Sequence, residues 1–259
     1  MSLPLGGRTA VVTGVSRRRG IGFAVASHLA SMGASLAVHH HLPHDSDEYG
    51  ASDNLAELLA ELRASLKGGA KLVDVAGDLG DAITAEALIP AVNGTLGHVD
   101  VLVCNHAHGG DAVGLADLTA SALDRHWAVN TRATMLLTKA FAAQHDGRLG
   151  GRVIWMTSGQ ALGPMGDNLA YVASKAALAG ATWSVADDLI GLGISLNTVN
   201  PGPVNTGYLD DAPPAFLERF PQHRLGTPED PGRLIGWLVS DEGGWMVGQV
   251  LNSEGGFRR

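Results

Sequence analysis

The chain has a single cysteine, Cys104, so no disulfide can form within it, and a reducing cytoplasm is the expected setting. No apolar run approaches the roughly 20 residues a membrane helix needs. The opening, Met1 to Arg8, lacks the long apolar core of a secretory signal. There is no long basic stretch either: 18 Lys and Arg against 26 Asp and Glu leave a formal charge of −8. That balance argues against nucleic acid or an anionic membrane as partner. Internal repeats and linkers are lacking too. What is present is 45% apolar residues over 259 positions, enough to bury a large core without a staple. The 35 glycines and 11 prolines stay below the share that marks low complexity. One domain spanning residues 1–259 is expected.

Short apolar runs alternate with helical patterns. Strands are expected at 9–12, 36–38, 71–75, 100–104, 152–157, 194–199 and 249–251. Helices are expected at 21–32, 54–66, 82–96, 121–144, 169–192 and 227–240, the last with Thr227 as N-cap, Pro228 in the first turn and Asp230 three residues on. Strands separated by helices of a dozen residues imply βαβ units, so the fold class is α/β: a doubly wound Rossmann-type domain with a mostly parallel seven-stranded sheet. Residues 201–226 hold five prolines and little periodicity. They follow the sixth strand, where open α/β sheets bind ligands, so 203–226 is a candidate substrate lid or else an ordered surface loop.

The stretch Thr13-Gly14-Val15-Ser16-Arg17-Arg18-Arg19-Gly20-Ile21-Gly22 follows the first strand and opens a helix. Glycines there let the backbone approach a pyrophosphate whose charge sits at the helix N-terminus. Gly14, Ser16, Arg17, Arg18, Gly20 and Ile21 are the expected contacts. A site for NAD places an acid at the end of the second strand. Here the chain reads His39-His40-His41, with no acid before Asp45, and three arginines crowd the turn. NADP(H) is therefore expected over NAD(H), with His40 beside the adenosine ribose or solvated. The His39-His40-His41 run with His44 invites a metal reading, but consecutive histidines on a strand point to opposite faces and do not converge, and no cysteine or acid completes a four-ligand spacing, so no metal is expected.

Tyr171 and Lys175 fall at i, i+4 on one helix face. Ser158 ends the fifth strand 13 residues earlier, Asn130 lies on the preceding long helix, and Asn200-Pro201-Gly202-Pro203-Val204-Asn205-Thr206 follows the sixth strand. With these, the sequence resembles the short-chain dehydrogenase/reductase family over residues 8–257, and within it the 3-oxoacyl-carrier-protein reductase-like branch. The resemblance implies reduction of a ketone, or oxidation of a secondary alcohol, with Tyr171 as proton donor or acceptor. Lys175 would lower the phenol pKa, hold the nicotinamide ribose and join a proton relay through water near Asn130; Ser158 would bond the substrate oxygen. It also implies that Asp78 and Leu79 border the adenine, Asn105 and Ala107 the cofactor ribose, and Pro201, Gly202, Val204 and Thr206 the nicotinamide end. A homotetramer, or a homodimer, would follow, with Trp237, Trp245 and Phe257 at an interface or in the core.

Three features depart from the family pattern. Five residues, Val15 to Arg19, separate the first two glycines of the turn instead of three. A longer turn also resembles the enoyl-reductase branch, but there Tyr and Lys stand seven apart, and position 178 is Leu178. The usual Asn-Asn-Ala-Gly reads Cys104-Asn105-His106-Ala107, leaving His106 to reach the substrate or to pack. Cys104 reads as an inert core thiol. The substrate pocket is expected along 108–113, 160–167 and 208–220. An NAD-dependent sugar or polyol dehydrogenase and a non-catalytic nucleotide sensor are the rival readings; the intact Ser158, Tyr171, Lys175 and Asn130 argue against the sensor.

Overall fold

The computed structural model describes residues 3–50, 52–110 and 113–259. Seven strands form one sheet: β1 (Thr9–Val12), β2 (Ser35–His40), β3 (Leu72–Ala76), β4 (Val101–Cys104), β5 (Gly151–Met156), β6 (Ile194–Asn200) and β7 (Val250–Asn252), in the order β3-β2-β1-β4-β5-β6-β7. Every pairing is parallel, so the sheet is wholly rather than mostly parallel. The strand order reverses between β1 and β4. At such a switch point the turns leaving neighbouring strands diverge and leave a crevice at the carboxyl ends.

Alternation along the central strands feeds two cores. Ala10, Val12, Val101 and Val103 face α1 (Ile21–Ser31), α3 (Leu55–Ser65) and α9 (Glu229–Val239). Val11, Leu102 and Cys104 face α4 (Ala82–Leu96), α6 (Ala133–Gln144) and α7 (Leu169–Ile190). Residues such as Leu29, Leu58, Ile89 and Leu137 are fully buried, each contributing about 1.5–3 kcal/mol of transfer free energy. Two side chains set helix starts where the sequence suggests: Asn54 accepts from the Ala56 and Glu57 amides, and Asp81 from those of Ile83 and Thr84.

Four local expectations change. The long helix foreseen at 121–144 is α5 (Ala120–His126), a π-helical segment (Trp127–Arg132) and then α6. Helix α9 begins at Glu229, with Pro228 rather than Thr227 at its N-cap, because the Asp230 carboxylate reaches back to accept the Thr227 amide at 2.9 Å. An unforeseen helix α2 (Leu42–Tyr49) follows β2, with Pro43 near its start and Gly50 closing it at φ 74°. The 203–226 segment carries the single turn α8 (Pro214–Leu217) and is pinned by a bridge between Val204 and Gly226. Among the described residues no helix is long and apolar enough to cross a membrane.

Candidate active site

Two strand ends meet at the switch point. The Thr13 hydroxyl takes the amides of Asn105 (3.0 Å) and His106 (3.2 Å). Asn105 Nδ2 donates back to the carbonyls of Thr13 and Gly14 at 3.0 and 3.1 Å. His106 is buried, with Nε2 donating to the Val129 carbonyl at 3.0 Å and Nδ1 2.7 Å from Thr13 Oγ1. Burial pushes its pKa down to about 3, so it stays neutral and serves to pack the junction. At this junction a Cβ on Gly22 would meet the Gly14 carbonyl oxygen at 2.3 Å and Asn105 Nδ2 at 2.6 Å. Only glycine lets α1 start this close to the strand, as a pyrophosphate-binding turn requires.

The cleft above this junction is lined by Gly14, Ser16, Arg17, Gly20 and Ile21 from the turn, by Asp78 and Leu79 after β3, and by Asn105, Ala107 and Thr206. Burial works against the charge of Asp78, but the Gly80 amide and Arg125 outweigh it and hold the carboxyl below its ordinary range. Two expected contacts fall elsewhere. Arg18 turns away to Glu57 (3.1 Å) and Glu61 (2.6 Å) on α3, because its own amide is fixed by Asp53 at 2.6 Å. His40 is buried and faces Asp74 at 3.3 Å on β3. The strand alternation sends His39 and His41 into the cleft instead. Burial, against the pull of the Gly77 carbonyl, lowers the His39 pKa to about 4. Asp45, the first acid after β2, also reaches the cleft wall; it is buried, and Oδ2 has no hydrogen-bond partner among the described residues. The sequence placed no role on it because α2, which carries it inward, has no apolar periodicity.

One turn of α7 gathers the expected catalytic residues. Lys175 is buried, and Nζ donates to the Met156 carbonyl at 2.9 Å and lies 5.7 Å from the centroid of the Tyr171 ring. Thr157 Oγ1 donates to the Lys175 carbonyl at 2.9 Å, fixing the end of β5, and thus Ser158, against this turn. From the other side, Asn130 Nδ2 donates to Ser174 Oγ at 2.9 Å, and Ser174 Oγ to the Tyr171 carbonyl at 2.7 Å. Asn130 sits fully buried in the π-helical segment, a geometry common at functional sites. Its side chain also brackets the backbone of His108, accepting from N at 2.7 Å and donating to O at 3.1 Å. Burial draws the Lys175 pKa down to about 8 and pushes the neighbouring Cys104 thiol up, as an inert core thiol requires.

Ser158, Gly202, Pro203, Met165, Tyr208 and Phe216 line a separate cavity of about 370 Å³. Phe216 and Phe257, which also line it, cluster with Phe220, with ring centroids 4.8–5.6 Å apart. Phe257 thus packs under the lid. Pro201 lines an adjoining hollow, and Val204 is buried at its bridge to Gly226. Of the expected pocket, Asp111 and Ala112 lie outside the described residues. The long glycine turn grips the lid: Arg17 donates to the Thr206 carbonyl at 2.9 Å, and Arg19 makes two bonds of 2.6 and 2.5 Å to Asp210. Arg19 draws the Asp210 pKa down to about 2.

The family model described as enoyl-(acyl carrier protein) reductase matches residues 14–258. The uncharacterized oxidoreductase YjdA of Bacillus subtilis is 37% identical over 255 residues, covering 97% of each chain. The NADPH-dependent aldehyde reductase-like chloroplastic protein of Arabidopsis thaliana is 31% identical over 263 residues, 98% of this chain and 96% of its own. A short-chain dehydrogenase from Burkholderia cenocepacia, solved in complex with NADP, superposes with a TM-score of 0.84 at 31% identity over 98% of both chains. The chain belongs to the short-chain dehydrogenase/reductase family. It is an oxidoreductase on a single Rossmann-type domain.

Two outcomes test this geometry. Arg19→Ala and Asp210→Asn each leave the midpoint of global unfolding nearly unchanged, since the pair is solvent-exposed, yet speed proteolytic cleavage within 203–226; unchanged cleavage would show that the pair does not hold the lid. For Lys175 the sign follows from its lowered pKa. Below pH 8 the ammonium is charged folded and unfolded, and burial costs on the order of 3 kcal/mol. As pH rises from 8 toward 10.5 that cost disappears. Urea unfolding of the wild type should therefore gain stability relative to Lys175→Met over that window; a constant difference would place Lys175 in a polar setting.

Proposed function

We propose that the protein is an NADP(H)-dependent carbonyl reductase, or in reverse a secondary-alcohol dehydrogenase, with Tyr171 as the proton donor or acceptor. The observation that carries this reading is the buried Lys175 ammonium 5.7 Å from the Tyr171 ring. A cation held without water beside a phenol favours the phenolate, the form that proton release to a carbonyl oxygen leaves behind. NADPH, when bound in the cleft lined by Gly14, Arg17 and Asn105, would supply the hydride, and NADP⁺ would accept it in reverse. Tyr171 O–H donates as charge builds on the substrate oxygen, and Ser158, at the edge of the 370 Å³ cavity, offers that oxygen its hydroxyl. Asn130 and Ser174 hold the turn in register, with proton return through water at the π-helical segment.

The four-residue spacing of Tyr171 and Lys175 supports carbonyl over enoyl reduction despite the description of the matching family model. The apolar lining of Met165, Leu209 and Phe216 suits a small apolar ketone or aldehyde. A 3-oxoacyl thioester belongs in the same substrate panel. NADP(H) preference rests on Arg17 in the cleft, the lack of an acid at the end of β2, and the NADP bound by the Burkholderia relative. Asp45 favours a second reading: its unbonded, buried Oδ2 could take a ribose 2′-hydroxyl, as an NAD-dependent dehydrogenase requires. A cytoplasmic homotetramer or homodimer is the matching assembly; Trp183 and Trp245, 66% and 98% exposed, offer the apolar surface for it.

Turnover of a panel of ketones, aldehydes and 3-oxoacyl thioesters tests the chemistry. Tyr171→Phe keeps NADPH affinity and loses at least about a hundredfold in kcat. Near-normal turnover by that variant would overturn the mechanism, and cofactor binding without turnover of any substrate by the wild type would favour a sensor.

A further inference from the structure

We propose that His44, Glu48 and His108 form a site for a divalent transition-metal ion of the zinc class at the rim of the cofactor cleft. His44 and Glu48 stand four residues apart on α2, so their side chains share one helix face. His108 comes from the chain leaving β4, on the opposite wall. One ligand atom from each lies within 4.8 Å of the other two. A tetrahedral ion with bonds of 2.0–2.2 Å wants ligand atoms about 3.4 Å apart. Side-chain rotations that close about an ångström bring the three onto one ion.

The surroundings are shaped for this. A cavity of about 300 Å³ is walled by His41, His44, Asp47, Glu48 and His108. His44 and His108 also face the cofactor cleft, so the two rings form the partition between the spaces. The loop closes over the group through Gly109 and Gly110. A Cβ at Gly109 would lie 3.0 Å from Glu48 Oε1, and one at Gly110, where φ is +64°, would lie 2.9 Å from His108 Nε2 and 2.4 Å from the His126 ring. The backbone of His108 is clamped on both sides by Asn130, so one ligand is positioned in advance. Two imidazoles and a carboxylate match zinc, nickel, cobalt or copper rather than magnesium or calcium, which take oxygen ligands. Three protein ligands leave a fourth position for water. The expectation of no metal covered the His39 to His41 run together with His44; Glu48 and His108 come beside His44 only through α2 and the chain leaving β4.

Occupancy would bridge α2 to the chain leaving β4 and so stiffen one wall of the cofactor cleft. The test uses the full chain without any polyhistidine tag, stripped with chelator and titrated with Co²⁺ and Zn²⁺. One equivalent of Co²⁺ should bind with visible ligand-field absorption and be displaced by Zn²⁺. Zn²⁺ at about a hundredfold over Kd should raise Tm by roughly 5–10 °C. His44→Ala, Glu48→Gln and His108→Ala should each weaken binding at least tenfold, the minimum expected when even an outer-shell partner is lost. His145→Ala removes one ring of the separate His98–His145 pair, whose centroids lie 5.0 Å apart, and should leave binding intact. Circular dichroism of each variant reports folding. No stoichiometric Co²⁺ spectrum, binding unchanged in all three variants, or loss of binding in His145→Ala would each overturn the site.

Discussion

The site depends on how closely the turn leaving β1 can approach the turn leaving β4. That approach is held by the Thr13 hydroxyl and sealed by Asn105 and a neutral His106. Any bulk at Gly22 would force the two apart. Because these strands are neighbours only where a doubly wound sheet reverses direction, the crevice and the start of α1 are created by one packing event. The charge of a pyrophosphate would then meet the α1 N-terminus with no side-chain carboxylate interposed. His106 stands where the family pattern has a small residue. Its imidazole fits because it is neutral and fully bonded, to Val129 and Thr13.

The second constraint is the buried ammonium of Lys175. Its burial is unfavourable by itself and is tolerated because Met156, Thr157, Ser174 and Asn130 fix the surrounding backbone. Functional groups are commonly kept in such costly settings because there a charge acts strongly on its neighbour. The π-helical segment belongs to the same device, since it sets Asn130 against α7, where α5 also packs, while α6 packs on β4. The lid is attached to the cofactor turn as well as to the C-terminal tail. Arg17 and Arg19 both belong to that lengthened turn, so the loop that lines the cleft also grips the lid.

The alternation of short apolar runs with amphipathic stretches was enough to place all seven strands and most helices, because burial on both faces imposes it. The glycine turn and the Tyr171/Lys175 spacing were legible for a similar reason: each is a local pattern with one geometric use. Three features were not. The π-helical segment arises from packing of Asn130 against Ser174, which no periodicity encodes. Helix α2 is mostly polar and lacks an apolar stripe; Pro43, Asp45 and Gly50 were its only signals. The exchange of His40 for His39 and His41 turned on which face of the strand looks into the cleft, for the expected strand stopped at 38 whereas β2 runs on through His40. Arg18 could not be separated from Arg17 by sequence, since the carboxylates that capture it stand 35 to 43 residues away.

The central claim is a cleft built for NADP(H), in which Arg17 outweighs Asp45. It is tested most directly by titrating the purified protein with NADPH and with NADH side by side, following nicotinamide fluorescence. NADPH should bind at least about tenfold more tightly, a difference of about 1.4 kcal/mol. Equal affinity, or tighter binding of NADH, would contradict that claim and assign the ribose to Asp45.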